Sequence, residues 1–327
     1  MRFALSGVRG GLEAPGPVPI LEMARYAEDL GFHGLWFNEE HFRRVRTGRD
    51  GEPLSPLLLA GAVAAVTSRI RLGFSVLLLP LHHPVRLAEE LATLDVLSGG
   101  RVDAGLSGSA NPRYSAAFAD NWAHPPELDG AVRTMVAHWT GTPVDAGDEG
   151  PQEFAPAPVQ QPHPPIYIGG YHDATIAWAA ENGHATVQHG IQSPASLRRT
   201  LAVFTDHGGD VTRTPVGRFC YVGESDEQAW AEAGQYVDAQ SQTLRSFGIW
   251  RRGELISTLE ELETERFRHE TAIVGGPETV AARLAALRDD LGVRQVNLLS
   301  SFFGLLPQDL LRRSLRLFAD EVAPKLA

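Results

Sequence analysis

The stretch Trp36-Phe37-Asn38-Glu39-Glu40-His41-Phe42 ends an apolar run in two carboxylates and an imidazole. Carboxylates and imidazoles are the side chains that hold and move protons near neutral pH. Three further clusters could do chemistry. Leu81-His82-His83-Pro84 sets two imidazoles side by side. Adjacent residues on a turn rarely ligate one metal together, so a polar turn with Pro84 opening the next helix is expected, and no metal. Gly105-Leu106-Ser107-Gly108-Ser109 offers small residues and hydroxyl donors beside a flat ligand, without the full strand-turn-helix setting of a nucleophilic serine. Gly169-Gly170-Tyr171-His172-Asp173-Ala174-Thr175 runs into a helix start, where N–H groups and the helix dipole favour a phosphate, with Thr175 or His172 as donors. Asp173 either opposes that anion or simply caps the helix.

Each cluster sits where a strand-like run stops. The pattern predicts strands over 3–6, 34–38, 70–79, 101–107, 166–169, 184–188, 215–222 and 293–300. Amphipathic or capped helical runs follow, at 20–30, 55–67, 84–97, 127–139, 173–182, 193–207, 226–245, 277–291 and 308–326. Strand–helix alternation repeated eight times predicts an α/β fold, a (β/α)8 TIM barrel, as one domain over 1–327. Loop insertions are expected near 108–126, 141–165 and 246–272, the last as a lid. In such a barrel the strand interiors pack in apolar layers and ligands bind at the C-terminal rim. The polarity of Asn38–His41 then marks that rim. An open doubly wound sheet is the alternative, but no G-x-G-x-x-G follows a strand.

Bulk properties narrow the class. The chain has 327 residues and a net charge of −11, which argues against nucleic acid. No apolar run approaches the roughly 20 residues of a membrane helix. The N-terminus is too soon polar for a signal peptide. The single cysteine, Cys220, suits a reducing cytoplasm and reads as a small buried hydrophobe.

The segments GFHGLWFNEEHF (31–42), SRIRLGFSVLLLPLHHPVRLAEELATLDVLSGGRVDAGLSG (68–108) and VGGPETVAARL (274–284), with the tail to residue 326, resemble the bacterial luciferase-like flavin monooxygenases. The resemblance spans nearly the whole chain and implies the same (β/α)8 barrel. It implies reduced FMN delivered by a separate reductase, reaction with O2 to a C4a-hydroperoxide, and oxygenation of an apolar metabolite by hydroxylation or Baeyer–Villiger chemistry. It places proton handling at His41, with Glu40 where the family often has a second histidine. It places a non-prolyl cis peptide at Ser75-Val76, under the flavin ring. Ser107 stands where luciferase has a reactive cysteine, and Gly108 where it has an arginine, so Arg113 would have to reach the phosphate from the same loop. Gly169, Gly170, Tyr171, His172 and Thr175 surround the phosphate position. Trp36, Phe74, Trp122, Phe302 and Phe303 are the aromatics near the rim. The resemblance also implies a homodimer, for which residues 55–67 and 84–97 are apolar enough. Two other readings stay open: hydride transfer with the deazaflavin F420, and a flavin-binding subunit without chemistry.

Overall fold

The computed structural model describes residues 1–8, 18–41, 54–109, 114, 117–118, 127–145, 147–170, 172–246 and 258–327. Arg113, Trp122 and Tyr171 lie outside the described residues.

The strands are β1 (Arg2–Val8), β2 (Gly34–Phe37), β3 (Arg71–Phe74), β4 (Leu77–Leu78), β5 (Val102–Ser107), β6 (Val144–Asp145), β7 (Pro151–Gln152), β8 (Ile166–Ile168), β9 (Ala185–Thr186), β10 (Pro215–Arg218), β11 (Cys220–Val222), β12 (Ile273–Gly275) and β13 (Gln295–Leu298). Eight of them run parallel in the order β10-β13-β1-β2-β3-β5-β8-β9. A parallel bridge from Gln188, beyond β9, to Val216 of β10 joins the two ends into a barrel. The helices between strands include α1 (Val18–Asp29), α2 (Pro56–Ala64), α3 (Pro84–Ser98), α4 (Leu128–Trp139), α5 (Asp173–Glu181), α6 (Pro194–Asp206), α7 (Asp226–Ser246), α8 (Pro277–Leu291) and α9 (Gln308–Leu317).

Both faces of the strands are buried, as a helix-covered parallel barrel requires. In β2, Leu35 and Phe37 point into the core shared with the helices. Trp36, between them, packs with Ala4, Val187, Val76 and Tyr167. β1 and β2 lie across the barrel from β8 and β9, so these residues meet only through the lumen. Room for the indole comes from glycine. A Cβ on Gly73 would lie 2.4 Å from Trp36 Cδ2. Below this layer Arg71 grips Asp103 through two bonds, Nη2 to Oδ1 at 2.7 Å and Nε to Oδ2 at 2.9 Å. Burial raises the Asp103 carboxyl and Arg71 counters it.

Four expectations change in detail. The apolar run 70–79 is two strands, β3 and β4, with a cis Ser75-Val76 bond between them. The run 215–222 is also two: β11 leaves the barrel and pairs with β12, an element the sequence reading missed. Of the expected lid over 246–272, the described part is packed, with Leu262 and Phe267 fully buried, and the rest lies outside the described residues. The loop 141–165 contains the β6–β7 hairpin. Cys220 is buried as expected, and burial pushes its thiol up to about 12.

Glycine substitutions test the barrel packing. A Cβ on Gly105 would lie 1.6 Å from the Phe74 carbonyl oxygen, which is backbone and cannot swing away. Gly105→Ala is expected to destabilise by about 3 kcal/mol. Gly61, inside α2, has nothing within 4 Å of that point. Gly61→Ala is expected to stabilise by about 0.5–1 kcal/mol. Urea unfolding of the two variants checks both signs.

Candidate functional site

The C-terminal ends of β2, β4, β5 and β8 deliver the polar clusters to one rim. Glu39 leaves β2 almost at once and its side chain is 2% exposed. Three donors converge on it. Leu78 N–H, in β4, donates to Oε2 at 2.6 Å. His41 Nε2 lies 3.1 Å and His82 Nε2 2.8 Å from Oε1. Burial alone would raise the Glu39 carboxyl. The hydrogen bonds from His41, His82 and Leu78, together with the charge of His82, reverse that and lower it to about 2.

The sequence reading placed Glu39 in the rim cluster without a role of its own and read His82 as part of a polar turn. The available signal was a carboxylate directly after a strand and an imidazole at a neighbouring strand's end. The two histidines of the turn diverge: His82 turns in to Glu39, whereas His83 is exposed at the N-cap of α3. Among the described residues no group of three or more side chains could hold a metal ion.

His41 is held by rings as well. Tyr114 meets it edge-on with centroids 5.2 Å apart, and Phe118 lies at 4.9 Å. Both come from the segment between β5 and α4. Glu40 follows Glu39 and is half-buried.

Of the residues singled out for a cofactor, Ser75, Val76, Ser107, Gly169, Gly170 and Thr175 form a connected ridge from β3 to the start of α5. Ser75 N–H donates to the Phe37 carbonyl at 2.8 Å, and its hydroxyl lies 3.3 Å from that of Ser6. The cis bond to Val76 is where the resemblance put it. Beyond it β4 pairs with β5, setting Leu78 beside Ser107. Ser107 Oγ accepts from Ser109 N–H at 3.2 Å. Gly169 N–H donates to the Leu106 carbonyl at 2.8 Å. A Cβ on Gly169 would lie 2.7 Å from Val76 Cγ1, and one on Gly170 2.5 Å from Thr175 Cγ2. So Val76, Gly169, Gly170 and Thr175 are packed in sequence along the rim. Of the two readings at the start of α5, side-chain capping is not adopted: His172 takes the N-cap position with no side-chain cap hydrogen bond, and Asp173 is the first helical residue.

The rim aromatics divide. Trp36, Phe74 and Phe302 are fully buried and belong to packing, not to a ligand wall. Phe303 is half-buried, and a Cβ on Gly7 would lie 3.0 Å from its ring. Phe302 and Phe303 have φ of 49° and 56°. Consecutive bulky residues in the left-handed region are strained and concentrate at functional sites.

Comparisons with known proteins agree with this geometry. A family model described as luciferase-like monooxygenase matches residues 1–295. The chain belongs to that family and is a flavin-dependent monooxygenase by class. It is 26% identical to the oxygenase component of a flavin-dependent trigonelline monooxygenase from Acinetobacter baylyi, over 82% of this chain and 79% of the relative. Two solved structures share the fold. The oxygenating constituent of 3,6-diketocamphane monooxygenase from Pseudomonas putida, in complex with FMN, has a TM-score of 0.78 at 20% identity, covering 99% of each chain. A coenzyme F420-dependent tetrahydromethanopterin reductase from Methanopyrus kandleri has a TM-score of 0.70 at 19% identity, covering 100% of this chain and 99% of that one.

The state of Glu39 has a consequence for stability. Its carboxyl lies below the usual 4.5, so its contribution is complete above about pH 4.5 and is lost as pH falls towards 2. The contribution is about 3 kcal/mol. Glu39→Gln is expected to be less stable than wild type between pH 5 and 7, with the gap closing as pH approaches 2, both measured by urea unfolding.

Proposed function

We propose that this chain is the oxygenase of a two-component system. It takes reduced FMN from a separate flavin reductase and uses O2 to oxygenate an apolar small molecule, by hydroxylation or Baeyer–Villiger insertion, in the cytoplasm. The observation that carries this reading is the junction of the two halves of the rim. Leu78, two residues beyond the Ser75-Val76 bond, donates directly to Glu39. The ridge for a cofactor and the carboxylate–imidazole cluster are thereby one structure.

The residues present fit a flavin mononucleotide. Val76 is half-buried at the rim and offers an apolar face for a flat ring. Ser107 and Ser109 supply hydroxyls nearby. The first N–H groups of α5, with no side-chain cap, and the half-buried Thr175 suit a phosphate. Asp173 in the first turn is the charge that opposes it, and Gly108 gives no cation. When bound, reduced flavin supplies two electrons to O2, one oxygen atom going to the substrate and one to water. The protein's part is to orient, exclude water and exchange protons. His41 is the proton-exchanging group, with Glu40 beside it. Phe303, Tyr114 and Phe118 offer the apolar wall. A homodimer is supported by Leu54, Leu58, Val96 and Leu97, which are exposed on and beside α2 and α3.

Anaerobic titration with reduced FMN and, separately, reduced F420 tests the cofactor. Micromolar binding of reduced FMN, with a delay before oxidised flavin forms on admitting O2, is expected. Binding of F420 alone, with no response to O2, would replace the reading with hydride transfer. Binding of neither would leave a subunit without chemistry. His41→Ala is expected to lower turnover about 100-fold with FMN affinity unchanged; unaltered turnover would remove the histidine from the mechanism. Leu58→Glu with Leu97→Glu is expected to convert a dimer into a monomer in sedimentation velocity.

A further inference from the structure

We infer that His82 is the second proton-handling imidazole of this site, and that Glu39 is the positioning residue that holds His82 and His41 as one unit. The inference deepens the function proposed above and rests on it for the reaction served, but its geometry stands apart from any cofactor.

The two histidines reach Glu39 by different routes, one along the exit from β2 and one from the turn between β4 and α3. Both set Nε2 against the same oxygen, Oε1, at 3.1 and 2.8 Å. An ionised carboxylate only accepts hydrogen bonds. Each Nε2 therefore carries its hydrogen, and each neutral ring keeps its lone pair on Nδ1. Both imidazoles are fixed in one tautomer, and Nδ1 is the atom left to exchange a proton. Exposure runs the right way for this: the Glu39 side chain is 2% exposed, His41 25% and His82 20%. The anchor is out of reach while both rings meet solvent or ligand.

Among the described residues few other charged groups stand near Glu39. On the β2 side stand Glu39, His41 and the half-buried Glu40. The turn adds His82 and the exposed His83. The segment between β5 and α4 adds the rings of Tyr114 and Phe118 on His41. Among the described residues the ion-pair partners of Glu39 are these two histidines. Either ring, when protonated, carries a hydrogen on Nδ1 as well. That ring can give its Nδ1 proton to the oxygen that leaves as water: the N–H bond breaks, an O–H bond forms, and the ring becomes neutral. Reduced flavin provides the electrons, and solvent returns the proton. The imidazole that the family often carries at position 40 is thus supplied in space by His82.

Nitrogen-15 NMR of histidine-labelled, flavin-free protein tests this, with signals assigned by His41→Asn and His82→Asn. Above their titration both rings are expected as the Nε2–H tautomer, and Glu39→Gln is expected to release both. His207, which meets Glu181 through Nδ1 at 2.8 Å, serves as the internal control and should not change. With reduced FMN and O2, His82→Asn is expected to slow flavin oxidation at least 10-fold and to change the shape of its pH profile, with FMN affinity unaltered. An Nδ1–H tautomer at either ring in the wild type, release of His41 alone by Glu39→Gln, or an unchanged pH profile in His82→Asn would overturn the inference. The wild-type tautomers are decisive even if a variant fails to fold. They are also independent of flavin, so failure to bind reduced FMN would sink the proposed function and leave the tautomers to judge this inference.

Discussion

A closed parallel barrel has a lumen that side chains must fill, and here an indole does so. Trp36 can stand inside because Gly73, its register partner on β3, has no side chain. That arrangement sets the height of everything above. With the strand interior taken up by Trp36, Val76 and Tyr167, polar residues of β2 can emerge only beyond Phe37. The rim chemistry starts where the lumen packing stops.

Above that level one carboxylate organises two strand ends. Burying an ionised Glu39 is costly unless hydrogen bonds replace its water. Leu78, His41 and His82 do so, from β4, the exit of β2 and the turn into α3. A charge that must be satisfied thereby fixes the exit from β2, the segment after the cis bond and the turn into α3 against one another. The same bonds keep the carboxyl ionised well below the pH at which an exposed glutamate titrates.

Much of the fold was legible because strands buried on both faces read as apolar runs and helices end in recognisable stops. Gly99 and Gly292 take left-handed conformations at the ends of α3 and α8. The breaks inside apolar runs do not show in local hydrophobicity: the cis bond at Ser75-Val76 within 70–79 was located through the family resemblance, and the departure of β11 after β10 was not located at all. The placement of the candidate residues was legible as strand ends, since His41, Ser75, Val76, Ser107, Gly169, Gly170 and Thr175 fall on one rim. The wiring of the site was not. Glu39 meets His82 across 43 positions of chain, and no local pattern reports such a contact. The aromatics read as either a ligand wall or core packing, and Trp36, Phe74 and Phe302 take the second.

The indole in the lumen also gives the molecule an optical property. Trp36 packs against Val76, the residue on which a flat ring is expected to lie. Its emission arises from a dry, rigid setting, with Tyr167 5.2 Å away edge to face. Oxidised flavins absorb where indoles emit, so a ring resting on Val76 would accept excitation from Trp36 across little more than one side chain. The residue that fills the barrel from within is then also one donor, among six tryptophans, for energy transfer to a chromophore at its rim.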